Sequence, residues 1–363
     1  MGAQDLLTIG AFARASRLTP KALRLYDELG LLPPAHVDPA SGYRFYRPEQ
    51  LDHARLVAWL RRLGMPLARI RTVCALEPGA AAAEVAAYWS GVRADTAARG
   101  ELAAFLVRHL TERSERKIPM PAHMPRLTIR YATRSDTGLT REHNEDRAYA
   151  GARLLAVADG YGAAGDEPAS AAAIDALKPL DTEVPAGDLL NALERAVTSA
   201  DAAVRDFVAA DPARTGRGTT LTALLLSGSQ LALVHIGDCR AYLLRDDRLF
   251  QITHDHTMVQ SLVDEGRLTS EEAASHPQRA LLLRALQGAG VEPDLHLREA
   301  RAGDRYLLCS DGLSTVVDTA TVKDVLRTVA DPDDAVSHLV GLANAAGGPD
   351  NVTCVVADAV EAG

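Results

Sequence analysis

The chain has 363 residues, of which 47% are hydrophobic and 24% charged, and its formal net charge is −9 at pH 7. This composition excludes disorder as the main state, because enough apolar surface is present to form a core. The length predicts two or three domains. No apolar run approaches the roughly 18 residues of a membrane span, and no basic segment followed by an apolar one opens the chain. We therefore expect neither a membrane protein nor a signal peptide.

The four cysteines, at positions 74, 239, 309 and 354, are far apart in the sequence. Their spacing forms no Cys-x-x-Cys pair, which disfavours both a disulfide framework and a zinc-thiolate site. Cysteines used in this way are typical of a reducing compartment, so we expect a cytoplasmic protein.

Charge is distributed unevenly between the two parts of the chain. Residues 1–117 contain 17 Lys and Arg against 12 Asp and Glu, a net charge of +5, and residues 118–363 carry −14. A basic first third favours a phosphate backbone as partner, and an acidic remainder favours cations. Residues 118–125 contain three prolines, which cannot continue a helix, so we predict an extended linker there.

The first third of the chain is predicted to be helical. Ile9, Phe12 and Ala13 form one apolar face, and a second helix follows over residues 21–29, with Thr19 and Pro20 as its cap and first turn. Two short helices joined by a tight turn are the helix-turn-helix pattern. Aromatic and basic residues then alternate over 43–47 and predict a small β wing, and third and fourth helices begin near residues 48 and 66.

Three segments of this region, residues 9–13, 22–32 and 42–46, resemble the DNA-binding domain of MerR-type transcription regulators over about residues 6–76. We assign residues 1–76 to an all-α winged helix-turn-helix domain. The resemblance implies double-stranded DNA as the partner. The tyrosines fit equally well as packing between wing and helices. The candidate DNA contacts are Arg17, Lys21, Arg24, Tyr26, Tyr43 and Arg44.

Residues 81–112 are predicted to form one long helix. A seam with alternating spacings of four and three is typical of a coiled coil, and it consists of Val85, Trp89, Val92, Thr96, Arg99, Ala103, Leu106 and Leu110. MerR-type proteins dimerise through such a helix, so the resemblance implies that residues 77–117 form a homodimer, the symmetry that a reader of palindromic DNA needs. The alternative is a helix that packs on its own domain.

From residue 127 onward, predicted strands alternate with predicted helices. Acidic residues stand at the ends of four strands: Asp159, Asp238, Asp311 and Asp350. A carboxylate at a strand end is held rigidly and is half exposed. Several such carboxylates can converge on hard cations, which prefer oxygen ligands.

Six motifs in this half together resemble the metal-dependent type 2C Ser/Thr protein phosphatases, in their bacterial branch. They cover residues 141–146, 157–160, 218–220, 237–240, 309–312 and 348–353. The resemblance extends over about residues 126–358 and implies an α+β fold, a four-layer α-β-β-α sandwich. We assign residues 126–363 to this domain.

The resemblance also implies a mechanism. Two Mg²⁺ or Mn²⁺ ions, with a third in bacterial members, would activate a bridging water that attacks the phosphorus of a phosphorylated protein, with no covalent intermediate. Asp159 would bridge the ions, Arg141 would hold the phosphate oxygens, and Asp238 with Asp311 would build the third site. The implied metal-binding set is Glu145, Asp146, Asp159, Gly160, Asp238, Asp311 and Asp350.

Several residues depart from the family pattern or admit another interpretation. Tyr161 stands where some members have a histidine that acts as general acid, so leaving-group protonation would fall to water. Ala163 replaces a glycine and disfavours a positive φ, and Cys239 replaces a serine. His143 is expected in a solvated loop and His235 in the core, and Asn351 fits as the cap of its turn.

Two readings of function follow for the whole chain. The first is a phosphoprotein phosphatase that carries its own DNA-binding and dimerisation module for transcriptional regulation. The alternative is a MerR-type regulator whose phosphatase-like domain senses or binds a partner with little catalysis. A third reading, in which the basic module binds a protein, is weaker because both the wing and the recognition helix are predicted. The complete set of strand-end carboxylates favours the first.

Overall fold

The computed structural model describes residues 6–90, 92–93, 96, 127–162, 168–265 and 267–362. Its contacts divide the chain into two compact units. The first consists of Met1–Asp95 with Val259–His276, and the second of Thr96–Met258 with Pro277–Gly363. The predicted linker over 118–125 lies outside the described residues, as does most of the predicted dimerisation helix beyond residue 90.

The first unit contains the predicted helix-turn-helix. Thr8 and Thr19 cap helices α1 and α2 by accepting backbone N–H groups of Ala11 and Ala22, and Pro20 occupies the first turn of α2. The third and fourth helices follow where they were predicted. A further helix, α5, is described over residues 78–90. The named helices are α1 (Ile9–Ser16), α2 (Pro20–Glu28), α3 (Gln50–Arg62) and α4 (Leu67–Ala75).

A three-stranded sheet accompanies these helices, so the expectation of an all-α domain is wrong in that respect. Its order is β1-β3-β2, from β1 (Leu7–Thr8), β2 (His36–Val37) and β3 (Arg44–Tyr46). The sheet is joined to the helices by Tyr46, which is fully buried and stacks on Phe12 with ring centroids 4.5 Å apart. The wing is thereby fixed to the first helix by aromatic packing.

Two antiparallel sheets build the second unit. One has the order β11-β10-β13-β14-β4 and the other β12-β9-β8-β6-β5, with β7 paired to the end of β6. Gly228, at φ +60°, makes the turn of the predicted hairpin between β8 and β9. The strands are β4 (Leu127–Asp136), β5 (Asp146–Ala150), β6 (Leu154–Tyr161), β7 (Gly218–Thr219), β8 (Leu221–Ser227), β9 (Gln230–Ile236), β10 (Arg240–Arg245), β11 (Arg248–Gln251), β12 (Asp294–Glu299), β13 (Arg305–Cys309) and β14 (Val352–Glu361).

Three apolar clusters hold the sheets in place. One lies between the two sheets and includes Leu155 and Leu308. A second packs helices α6 and α7 on the sheet of β6, β8 and β9, and a third packs α11 and α12 on the sheet of β10, β13 and β14. The remaining helices are α6 (Ala169–Leu177), α7 (Leu189–Ala209), α8 (Met258–Asp264), α9 (Ser270–Ala274), α10 (Asp311–Ser314), α11 (Thr319–Thr328) and α12 (Pro332–Ala345).

Burial on both faces explains why the central strands are continuous apolar runs, and it makes their ends rigid supports for side chains. Strand β6 is longer than predicted, because it continues through Asp159 and Gly160 to Tyr161. Among the described residues, no helix combines the length and apolarity that crossing a membrane requires.

Candidate functional site

A cavity of about 740 Å³ in the second unit brings together most of the predicted site. Its lining includes five carboxylates of the predicted metal-binding set and the predicted phosphate ligand: Glu145, Asp159, Asp238, Asp311, Asp350 and Arg141. Gly160 also lines the cavity, and Asp146 is the one predicted metal-binding residue that does not. The motifs are separated by up to about 200 residues of chain, and strand pairing is what makes them meet.

Asp159 is held by the backbone of the neighbouring strand segment. Its N–H donates to the Thr220 hydroxyl at 2.9 Å, and its carbonyl accepts the Thr220 N–H and the Thr219 hydroxyl, each also at 2.9 Å. These contacts fix the main chain at Asp159 without using its carboxylate. The side chain is therefore positioned but left available for a ligand.

Asn351 organises the opposite side of the cavity. Its side-chain oxygen accepts the Glu145 N–H at 2.8 Å, and its amide donates to the carbonyls of Thr137 and His143 at 2.9 Å. The sequence suggested only a turn cap, so this role was missed. Gly312 packs so closely here that a Cβ at its position would collide with the Asn351 carbonyl.

Asp146 lies behind the cavity wall and is almost completely buried. Its carboxylate accepts a hydrogen bond from the Ser310 hydroxyl at 2.7 Å. One oxygen of Asp146 and one of Glu145 are buried without a hydrogen-bond donor among the described residues. Buried polar atoms normally have partners, so these two oxygens point to a bound cation or to its water ligands.

The carboxylates of this cluster repel one another. Burial, followed by the repulsion of neighbouring carboxylates, raises the pKa of Asp146 to about 7 and that of Asp238 to about 8. The same two causes raise the pKa of Asp159 and Asp311 above the ordinary range. Positive charge placed among these carboxylates would lower their pKa values again. Because the donors are all oxygen atoms, they suit a hard divalent cation.

Within the described ranges, no three His, Cys, Asp or Glu side chains are arranged as a ready-made cage for one ion. A divalent ion does not need such a cage, since Mg²⁺ usually keeps several waters and takes only one or two carboxylates from the protein. The residues present therefore fit hydrated divalent ions and do not form an all-protein cage.

Arg141 contacts a predicted metal ligand directly. Its guanidinium donates to Asp350 at 2.7 Å, and this hydrogen bond raises the pKa of Arg141. The Arg141 side chain is 57% exposed. Arg141, the predicted phosphate ligand, thus lies at the cavity mouth, and one nitrogen of its guanidinium is hydrogen-bonded to the acidic cluster.

The predicted DNA contacts in the first unit divide into two groups. Arg17, Lys21, Arg24 and Tyr43 are exposed. Tyr26 is only 5% exposed and belongs to the unit's apolar core, which supports its packing interpretation, and its contact with DNA stays a prediction.

Arg44, the sixth candidate, is engaged within the protein. Its Nε donates to Asp27 on α2 at 2.6 Å, and its side chain is 26% exposed. This ion pair joins the wing to the second helix. One side of the Arg44 guanidinium therefore already has a partner, and its contact with DNA stays a prediction.

Further residues line the cavity: Thr140, Glu142, Thr220, Ala280, Leu281, Leu282 and Gln287. Glu142 and Thr220 belong to the motifs at 141–146 and 218–220 but were given no role there, and only the fold brings residues 280–287 to the site. His143 also lines the cavity and is exposed, as expected. His235 is buried and hydrogen-bonded to Thr222 and the His254 carbonyl, and burial lowers its pKa to about 3, as expected of a core histidine.

Comparison with known proteins agrees with this geometry. Residues 140–346 match the family model "Protein phosphatase 2C", and residues 7–77 match "MerR HTH family regulatory protein". The chain belongs to the protein phosphatase 2C family. Residues 7–77 of its first unit are similar to the MerR helix-turn-helix regulators.

Named relatives of the phosphatase part are bacterial. The "Serine/threonine protein phosphatase PstP" of Mycobacterium tuberculosis (strain ATCC 25618 / H37Rv) is 57% identical over 236 residues, which are 65% of this chain and 46% of that protein. The "Serine/threonine phosphatase stp" of Listeria monocytogenes serovar 1/2a is 32% identical over 62% of this chain and 94% of its own length. This chain thus spans about half the length of PstP.

A solved structure resembles the second unit. The catalytic domain of PstP "in complex with 2 Manganese ions" superposes with a TM-score of 0.61 at 54% identity, over 65% of this chain and 100% of that one. The shared fold extends over the whole of that catalytic domain.

Proposed function

We propose that this member of the protein phosphatase 2C family hydrolyses phosphoserine and phosphothreonine in phosphorylated proteins, with Mn²⁺ or Mg²⁺ as cofactor. The observation that carries the proposal is the convergence of five carboxylates and Arg141 in one cavity. The PstP structure with manganese supports the cofactor. The two sheets covered by helices support a four-layer α-β-β-α sandwich as the fold of residues 126–363.

Two ions would be held by Asp159, the Gly160 carbonyl, Asp311 and Asp350, with Asp238 and Asp311 able to hold a third. Glu145 and Asp146 would hold ligand waters, since each has a buried oxygen without a donor. Divalent ions supply a water nucleophile of lowered pKa and neutralise charge that develops at phosphorus.

The chain's own residues position the substrate. Arg141, at the cavity mouth, binds phosphoryl oxygens through the nitrogens of its planar fork. Asn351 keeps Glu145 and the 137–143 loop in register, and Ser310 orients Asp146. The leaving oxygen takes its proton from water, as expected from Tyr161 in the place of a histidine.

A hydrolysis assay tests this function. The whole chain should release phosphate from a phosphothreonine peptide only when Mn²⁺ or Mg²⁺ is present, and excess EDTA should stop the reaction. Activity that persists in EDTA, or its absence at saturating Mn²⁺, would overturn the proposal. The second outcome would favour the alternative of a regulator whose phosphatase-like domain only binds a partner.

We also propose that the first unit binds double-stranded DNA as a homodimer and couples the phosphatase to transcription. Capped helices α1 and α2, the wing fixed by Tyr46, and the exposed Arg17, Lys21 and Arg24 support DNA binding. The heptad seam of residues 77–117 supports the dimer. Binding to a genomic DNA pool that falls steeply with salt would agree, and a salt-insensitive interaction would contradict it.

The proposed organisation is modular: residues 1–76 for DNA, 77–117 for dimerisation, 118–125 as linker and 126–363 for hydrolysis. Three prolines keep a connection extended, so the tether would raise the local concentration of phosphatase near its operator. If modularity holds, Asp159→Asn in the whole chain leaves DNA affinity unchanged. Turnover that changes several-fold on adding DNA would show coupling instead.

A further inference from the structure

Tyr161 enters the cavity from the same side as the candidate metal ligand Asp159. Both residues belong to strand β6, and side chains two positions apart point to the same face of a strand. Tyr161 lines the cavity together with Asp159 and Gln287. Its phenol is therefore a neutral group next to five carboxylates.

Among the described residues, the Tyr161 hydroxyl has one hydrogen-bond partner, the side chain of Gln287. The side-chain amide of Gln287 donates a hydrogen bond to the Tyr161 oxygen. A phenol has one proton to donate as well as lone pairs to accept. With its oxygen accepting from Gln287, its proton is directed to another acceptor.

The backbone of the loop that carries Gln287 is fixed by hydrogen bonds to one carboxylate. The Asp201 carboxylate on α7 accepts the N–H groups of Gln287 at 3.2 Å, Gly288 at 2.8 Å and Gly290 at 2.8 Å. Just before this loop, Leu286 exchanges two backbone hydrogen bonds with Thr219, at 2.8 and 3.1 Å. The loop is thus tied to α7 on one side and to β7 on the other.

The ring of Tyr161 also occupies a fitted place. Gly218 of β7 pairs with Tyr161, and a Cβ at position 218 would collide with the phenol oxygen. Only glycine leaves room for the ring in this orientation. The phenol is therefore preorganised by two contacts, the hydrogen bond from Gln287 and the close packing on Gly218.

We propose that Tyr161 is a substrate-binding residue whose neutral hydroxyl donates a hydrogen bond to a phosphoryl oxygen, with Gln287 and Asp201 as positioning residues. The inference rests on the proposed phosphatase function. Phosphoryl oxygens are acceptors only, so a fixed donor on the wall complements them. No change in ionisation of the phenol is involved, and its place differs from that of Arg141, which stands at the mouth.

The test compares whole-chain variants in saturating Mn²⁺. Tyr161→Phe removes the donor and keeps the ring, and Gln287→Leu removes the amide at similar size. Tyr131→Phe, the same chemical change on an exposed tyrosine of β4, is the matched control. The readouts are kcat and KM for a phosphothreonine peptide and the inhibition constant of inorganic phosphate.

Loss of one hydrogen bond to a charged group predicts about a tenfold rise in the phosphate inhibition constant for Tyr161→Phe, and a similar fall in kcat/KM. Tyr131→Phe should change neither. Asp201→Asn should act in the same direction, with little further effect in the Tyr161→Phe background, because it works through the same hydroxyl. Calorimetric Mn²⁺ affinity should be unchanged in Tyr161→Phe.

Two results would overturn the inference while the phosphatase function stands. One is an active wild type whose phosphate inhibition constant changes less than twofold in Tyr161→Phe. The other is a Tyr161→Phe variant that is less stable to heat but binds phosphate as the wild type does, which would make the phenol structural only. An inactive wild type in Mn²⁺ would instead overturn the proposed function itself.

Discussion

The acidic cavity of the second unit and the basic surface of the first unit use charge in opposite ways. In the cavity, carboxylates are gathered together, and their burial, followed by their mutual repulsion, raises the pKa of Asp159, Asp238 and Asp311. On the first unit, Arg17, Lys21 and Arg24 are spread over exposed helix positions. The two regions differ in how their charges affect stability. Buried like charges destabilise a fold until a counter-charge neutralises them, whereas exposed charges are already solvated.

This contrast carries over to the kind of ligand each region suits. A rigid, costly cluster binds small cations tightly, since each ion removes repulsion that the fold already contains. An exposed basic surface attracts an extended polyanion through a sum of weak contacts that salt screens. The following changes test whether the two regions behave in these different ways, beginning with the largest effect.

Asp159→Asn should nearly abolish hydrolysis. The substitution keeps the size of the side chain but removes the charge that the ions would share, so we expect a loss of at least about a thousandfold in kcat/KM for p-nitrophenyl phosphate with Mn²⁺. Asp175→Asn is the matched control, because that carboxylate is exposed and pairs with Lys178 on the protein surface. Equal activity of the two variants would show that the cavity is not the centre of reaction.

Gly312→Ala should strongly destabilise the second unit. Its Cβ would collide with the Asn351 carbonyl, so the 310–312 turn and the start of β14 would have to separate. We expect a loss of about 3 kcal/mol in the free energy of unfolding, measured by urea denaturation.

Gly341→Ala provides the opposite control for that experiment. Gly341 lies inside helix α12, and a Cβ there meets no atom within 4 Å. Alanine should therefore stabilise the unit by roughly 0.5–1 kcal/mol, because it loses less conformational freedom on folding. If both alanines have the same effect, the close approach at Gly312 does not matter to the fold.

The two regions also differ in how far the sequence predicts them. The positions of the cavity carboxylates were predicted because each motif places an acid at a strand end, and strand pairing then leaves little freedom. Asn351 and Gln287 were not predicted: their roles depend on which loop carbonyls and which backbone N–H groups come close after folding. Residues far apart in sequence, such as Asp201 and Gly288, give no local signal of such a contact.

In the first unit, the sequence predicted elements better than side-chain roles. Helices α1 to α4 and the wing follow from caps, prolines and apolar spacing. A tyrosine in a short amphipathic helix or in a wing gives no local sign of whether its ring turns inward, so the sequence did not distinguish Tyr26 from Tyr43. The structure buries the first and exposes the second. Arg44 likewise pairs with Asp27, which lies 17 positions away.

Asp238→Asn should reveal the cost of the buried charge in a pH-dependent way. Burial and the charges of Asp311 and Asp255 raise the pKa of Asp238 to about 8, against 3.8 for the ordinary carboxyl. The folded state therefore holds this proton more tightly than the unfolded state, so the contribution to stability is present below about pH 4 and is lost as pH rises to about 8. Asparagine does not titrate.

In EDTA, the stability of Asp238→Asn relative to wild type should therefore increase by about 3–4 kcal/mol between pH 5 and pH 8. Urea denaturation at both pH values measures it, with the exposed Asp247→Asn as control. Added Mn²⁺ at pH 8 should remove the advantage, because cations relieve the same repulsion. A pH-independent difference would mean that the Asp238 carboxyl does not keep its proton in the folded cavity.

Arg24→Ala should have the smallest effect and a different signature. Arg24 is exposed on α2, so its removal costs the fold little. If it contacts a DNA phosphate, affinity should fall about three- to tenfold for all sequences alike, and the salt dependence should flatten by about one phosphate contact. Arg55→Ala on α3, an exposed arginine paired with Asp52, and Tyr26→Phe in the core should leave binding unchanged. A sequence-dependent loss in Arg24→Ala would instead indicate base contact, and an equal loss in Arg55→Ala would make the effect one of overall charge.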